Sequence, residues 1–222
     1  MMSQIIAALM PLLGMAILFG IIIGLLKFFN SKIKGKVGEF AVKMQISKYL
    51  DERYIGLHDL TFEDDNGTTQ IDHLLLSPFG IFVIETKNYT GWIFGSERQK
   101  TWTQKIYKNS YKFQNPLHQN YRHVKAIEKV LAAVVEPEII HSFVVFHQRC
   151  EFKTEIPAQV FMGSDWVNYV KQFNQAILTE TQLKRIQLKL EKAALAASFQ
   201  TNRQHVKNLK QQHAEKIIAI LI

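Results

Sequence analysis

Charge is absent from the first 26 residues, cysteine occurs once in 222, and acidic side chains are missing from 98 to 125. Each absence excludes something. A single cysteine, Cys150, rules out a disulfide framework and a multi-cysteine zinc site, and no disulfide-linked partner is expected. With no nucleophile context around it, Cys150 is also a poor candidate for a cysteine hydrolase. Eleven glycines and five prolines without a period exclude collagen-like and low-complexity chains. No repeat of the length used by solenoids or propellers is visible. What is present is 47% hydrophobic residues, too many for a disordered chain, and an excess of base, 27 Lys+Arg against 19 Asp+Glu.

The uncharged start is one material and the remainder another. Residues 5–26 read IIAALMPLLGMAILFGIIIGLL. At about 1.5 Å per helical residue this run is long enough to cross a hydrocarbon core of about 30 Å. A cleaved signal peptide would need a basic leader and a small-residue cleavage site, and neither is present. We therefore expect a transmembrane anchor over 1–29 that contacts the lipid bilayer through 5–26. Lys27, Lys32, Lys34 and Lys36 follow before the first acid, Glu39. The positive-inside rule then predicts a single-pass protein of the cell membrane with its soluble domain in the cytoplasm.

Periodicity divides the body into a domain over 33–150 and a basic, mainly helical extension over 151–222. Val37, Phe40, Ala41 and Met44 predict a helix from about Ile33 to Arg53. Strands follow at Tyr54–Phe62, Thr68–Ser77 and Ile81–Lys87, the last two joined by Ser77-Pro78-Phe79-Gly80, which suits a type I turn. The segment from Gly91 to Phe113 suggests short strands or a long hairpin. Asn115-Pro116 opens a helix to about Val135, and Ile139–Phe146 is apolar throughout, as in a strand buried on both faces. The fold class is α/β or α+β, a mixed sheet flanked by helices. In the extension, Pro157–Met162 predicts a short strand and Ser164 a helix cap. Thr179 with Gln182 resembles a capping box before the stripe Leu183, Ile186, Leu190 and Leu195, and a last helix is expected from Thr201 onward.

The chemistry concentrates on two strands. In a strand, Glu85 and Lys87 share one face. If Ser77 pairs with Gly80, paired positions sum to 157, and Asp72 falls directly opposite Glu85. Opposed carboxylates among apolar neighbours are destabilising unless a positive charge offsets them. Lys87 offers one such charge. A divalent ion offers two, and carboxylate oxygens suit Mg²⁺ or Mn²⁺. Asp72 and Glu85 are thus the expected metal ligands, and Asp72, Glu85 and Lys87 the expected catalytic set for metal-assisted phosphodiester hydrolysis. Neutralising either acid should leave the fold at least as stable. The competing reading is a structural salt bridge from Glu85 to Lys87. His73 alternates away from Asp72 and suits the core better than a metal.

At these residues the chain resembles the nuclease-related domain family, a branch of the restriction-endonuclease-like superfamily. The carrying pieces are Gly35-Lys36-x-Gly38-Glu39, Ile71-Asp72-His73, Val83-Ile84-Glu85-Thr86-Lys87-Asn88, Gly91-Trp92, Trp102 and Asn115-Pro116-Leu117-x-Gln119. The resemblance implies a restriction-endonuclease-like core of helix, three strands, helix and strand. It also implies Glu39 as an outer acid near the metal and Gln119 as a site residue on the second helix.

Seven Lys+Arg occupy 98–125, interleaved with aromatics. Arg98, Lys100, Trp102, Lys105, Lys108, Tyr111 and Lys112 form the expected nucleic-acid surface, with lysines for phosphates and rings for bases. Anionic lipid headgroups are the competing partner for the same charges. The sequence thus supports a membrane-anchored, metal-dependent nuclease. The alternative is a catalytically silent module on the same fold that binds nucleic acid or associates with the membrane.

Overall fold

The structure, a computed structural model, describes residues 14–15, 18–23, 35–65 and 67–194. Most of the expected anchor and the expected last helix lie outside the described residues. Among the described residues no helix is long and apolar enough to cross a membrane.

The first helix, α1, covers residues 35–49. Three strands follow, β1 (Ile55–Asp64), β2 (Gly67–Ser77) and β3 (Gly80–Lys87), then β4 (Gly91–Phe94), β5 (Thr101–Ile106) and β6 (Asn109–Gln114). Helix α2 (Pro116–Leu131) and a short 3₁₀ turn lead to β7 (Ile140–Phe146), β8 (Cys150–Phe152) and β9 (Val160–Met162). Helices α3 (Asp165–Lys171) and α4 (Glu180–Ala193) complete the described chain. Two mixed sheets result rather than one. The first has the order β1-β2-β3-β7-β9 and the second β6-β5-β4-β8. The second sheet differs from the single-sheet expectation because the aromatic segment after Gly91 pairs with itself and with β8, which carries no strong strand signal of its own.

Each face of the first sheet is covered. On one side Leu74, Leu76, Ile81 and Val83 pack on α2 and α4 through Val124, Ile127, Leu131, Leu183, Ile186 and Leu190. On the other, Leu75, Phe82, Ile84, Phe143 and Val145 pack on α1 and α3 through Val42, Ile46, Trp166, Val167 and Val170. A third cluster joins the two sheets through Val144 and Phe146 of β7 against Ile93 and Trp102. The described part of the extension after Cys150 therefore builds into the same cores. Its capping box forms as expected, with Gln182 N–H donating to Thr179 Oγ1. Ser164 precedes α3 but makes no side-chain cap.

Helix α1 departs from the expected orientation. Val42 and Ile46 point inward, whereas Val37, Phe40 and Met44 are exposed. Periodicity identified the helix, but its neighbours chose the buried stripe.

Candidate active site at the end of the third strand

The turn at 77–80 sets the site. Ser77 pairs with Gly80, and the register continues through Leu74↔Val83 to His73↔Ile84. Gly80 takes φ +148°, which favours glycine, and Ser77 Oγ braces the turn by donating to Gly80 O and accepting from Phe79 N–H.

The next expected pair, Asp72 opposite Glu85, does not form a regular rung. In the neighbouring pairing the Asp59–Asp72 rung is also missing, and Asp59 adopts φ 54°. Beyond it the alternation steps by one, so that Leu60, Phe62 and Ile71 face the same cluster as Leu74. Direct ladder opposition is thus corrected. Asp72 sits at the step, and its Oδ2 accepts the backbone N–H of Thr86 at 2.8 Å, beside Glu85. Burial and then repulsion from Glu85 hold the Asp72 carboxyl well above the usual carboxylate range.

Glu85 and Lys87 share the α2 side of β3. Glu85 is buried, and its Oε1 accepts from Lys87 Nζ at 2.5 Å. Burial opposes the lysine charge, but the Glu85 charge and hydrogen bond outweigh it and raise the Lys87 pKa. Lys87 Nζ also donates to Gln119 Oε1 at 3.0 Å, so the structure brings Gln119 into the group. Helix α2 delivers it under firm control. Asn115 accepts from Leu117 N–H as N-cap, while its amide donates to the carbonyls of Ser96, Glu97 and Gln99. Asn120 Nδ2 donates to Val83 O and Phe143 O, tying α2 to both β3 and β7.

Sequence reasoning passed over His123. It is buried on α2, with Nδ1 3.5 Å from Glu85 Oε2, and both atoms lack a hydrogen-bond partner. Burial lowers its pKa although Glu85 pulls the other way. The available signal was its i+4 spacing from Gln119, which places the two on one helix face.

Glu39 approaches from α1 on the opposite side of the sheet. Burial and then the neighbouring Asp59, to which it hydrogen-bonds, raise its pKa. Its charge reaches both Asp72 and Glu85. His73 lies on that side too, with Nδ1 2.8 Å from His58 Nδ1, so one ring donates and the other accepts.

The expected nucleic-acid surface divides. Trp102 is a correction: it is fully buried, stacked on Phe146 and edge-on to Phe113 and Phe152, with Nε1 donating to Ser96 O. It holds the second sheet to the first and offers no ring to a base. Arg98, Lys100, Lys108 and Lys112 are exposed, and Lys105 is half-buried. Tyr111 is exposed but pairs with Gln104, so it lies on the same sheet face as Trp102, opposite Lys105 and Lys112.

A family model described as nuclease-related domain matches residues 34–147, which include α1, the β3 carboxylate and Gln119. The chain belongs to the nuclease-related domain family. The chain is also 37% identical over 190 residues to an uncharacterized protein of Bacillus anthracis, an alignment covering 83% of this chain and 88% of that one.

The atoms of this nuclease-related site fit a divalent cation in kind. Glu85 Oε2 is a buried oxygen without a hydrogen-bond partner, and the Thr86 contact uses only one oxygen of Asp72. Among the described residues no three His, Cys, Asp or Glu side chains form a ready-made ligand group. A cation would draw on two carboxylates, with water and phosphate completing the shell, as Mg²⁺ commonly does.

Proposed function

We propose that this is a membrane-anchored nuclease-related protein that hydrolyses phosphodiester bonds of nucleic acid at the end of β3. The observation that carries the reading is the meeting of Asp72 and Glu85 beside Lys87, with Glu85 Oε2 buried and unpartnered. Two carboxylates in one desolvated place raise each other's energy unless a cation joins them. Asp72 and Glu85 would hold Mg²⁺ or Mn²⁺, which when bound supplies Lewis-acid polarisation of a phosphate and a more acidic water. Lys87 orients a nucleophilic water or offsets charge growing on the phosphate. Gln119 fixes the lysine, His123 faces the free oxygen of Glu85, and Glu39 adds negative field from the far side. The anchor rests on the uncharged run at 5–26 and the lysines after it, and it places the domain at the inner face of the cell membrane.

The test uses the full chain in neutral detergent with mixed DNA and RNA substrates. Cleavage should require Mg²⁺ or Mn²⁺, stop with chelator, and vanish in Asp72→Asn. Metal at ten times its Kd should add about 1.4 kcal/mol to wild-type stability and nothing to that variant. Metal binding without cleavage would favour the silent module. That second reading has one observation in its favour: the 2.5 Å contact from Lys87 occupies an oxygen of Glu85 that a cation could use.

A further inference from the structure

With Trp102 in the core, the second sheet needs another aromatic platform if it handles bases. Its outer face supplies one. Trp92 pairs with Lys105 across β4 and β5, and Thr103 pairs with Lys112 two residues along, so these side chains share the face opposite Trp102. Trp92 is 45% exposed, although large apolar rings normally seek burial. Lys153 Nζ lies 4.9 Å from its ring centroid and Lys105 Nζ 5.8 Å. Glu151 is the acid on this face, and it is ion-paired to Lys153 at 2.5 Å.

The backbone around this ring is unusual in two places. Gly91 has φ +79°, and a Cβ there would collide with Lys105 O, so glycine is required where β4 turns Trp92 outward. At the tip of the β5–β6 hairpin, Tyr107 has φ 52° and is 94% exposed. A non-glycine residue in that conformation is strained, and a solvated ring recovers nothing by burial. Trp92, Lys105 and Tyr107 line one cleft of about 420 Å³. The cleft is joined to the candidate site by a short stretch of chain. Gly91 follows Lys87 by four residues, and at about 3.6 Å per extended residue their Cα atoms are at most about 14 Å apart.

We propose that this cleft takes a base of single-stranded nucleic acid, stacked on Trp92, with neighbouring phosphates on Lys105 and Lys153. Single strands are specified because a stacking ring needs an unpaired base, whereas a duplex would offer the lysines only its phosphates. A base entering the cleft displaces the ammonium groups from the ring toward the backbone, where they release counterions. Tyr107 at the hairpin tip closes the far side of the cleft. This rests on the proposed handling of nucleic acid but not on cleavage.

The experiment measures binding of a fluorescent oligothymidylate to the full chain in neutral detergent with chelator and without divalent metal, over a series of salt concentrations. Inorganic polyphosphate, which has charge and no bases, is the parallel probe. Trp92→Ala should weaken oligonucleotide binding about tenfold at nearly unchanged salt slope and leave polyphosphate binding as it was. Trp92→Phe, which keeps a ring, should recover most of that loss and guards against a folding defect. Lys105→Ala with Lys153→Ala should cut the slope by about one to two and weaken both probes. Equal oligonucleotide affinity in wild type and Trp92→Ala, or equal losses for oligonucleotide and polyphosphate, would overturn the proposal even if the chain cleaves nucleic acid. Absence of any oligonucleotide binding overturns it as well. Loss of binding in Trp92→Ala from a chain that never cleaves would leave the cleft standing and remove the hydrolytic reading.

Discussion

Asp72 is half-buried and Glu85 is buried, and their environments assign them opposite effects on stability. Asp72 is raised by burial and by Glu85, so its ionised form is a burden on the metal-free fold. Asparagine can still accept from Thr86 N–H through its carbonyl. Asp72→Asn should therefore be neutral or stabilising, by up to about 1 kcal/mol at pH 7. Glu85 is the counter-ion of a lysine whose side chain is only 16% exposed. Glu85→Gln leaves that ammonium without its anion and should cost about 3–5 kcal/mol. Equal stability of the two variants in urea melts would refute this asymmetry, which also revises the expectation that either neutralisation is harmless. His73 makes a separate prediction. Burial lowers its pKa from 6.5 to about 3. Between those values the unfolded chain binds the extra proton, so this stability is complete above pH 6.5 and is lost as the pH falls toward 3. The gap amounts to roughly 4–5 kcal/mol. His73→Asn should lower stability at pH 7 but flatten the decline toward pH 4. Parallel acid limbs in the two proteins would contradict it.

At the scale of elements, the second sheet depends on one indole. Trp102 touches Phe113 in its own sheet and Phe146 in the other. Trp102→Ala should destabilise by about 3–5 kcal/mol through loss of packing and a residual cavity. Trp92→Ala on the outer face should change stability by less than about 1 kcal/mol. Thermal melts of the two variants decide between a core and a surface role for each ring, and a harmless Trp102→Ala would return it to the candidate platforms. Helix α2 shows the same division of labour. Its apolar stripe binds it to the sheet, while Asn115 and Asn120 set its height and phase, and Gln119 arrives at Lys87 and His123 at Glu85 as a consequence.

For the whole molecule, the prediction concerns the anchor. Full-length protein should stay in the membrane pellet after alkaline carbonate washing, and a reporter fused at the C-terminus should be active on the cytoplasmic side. Release by carbonate would remove the anchor from the proposal, and reporter activity outside would reverse the orientation. The proposed tether also bears on substrate. A basic domain held at an anionic surface shares its lysines between headgroups and phosphates. Bases, not charge, then have to provide discrimination, which is the role assigned to Trp92.

Local chemistry alone determined much of this protein. The Pro-Gly turn at 77–80 and the two-residue period of β2 and β3 predict the pairing from Ser77↔Gly80 to His73↔Ile84, because turn and pleat are properties of neighbouring residues. The Asn115-Pro116 start of α2 and the Thr179 capping box are equally local. The ordered motifs from Gly35 to Gln119 identify the family. Tertiary structure decided which faces were covered. Alternation says that Trp92 and Lys105 share a side, but only the packing of β7 against the second sheet determines that Trp102 is inside and Trp92 outside. The same holds for the step at Asp59 and Asp72 and for the exposed stripe of α1. It holds also for His123 beside Glu85, 38 residues away in sequence. Burial depends on partners brought together by the whole chain, and no spacing within one segment encodes which partner arrives.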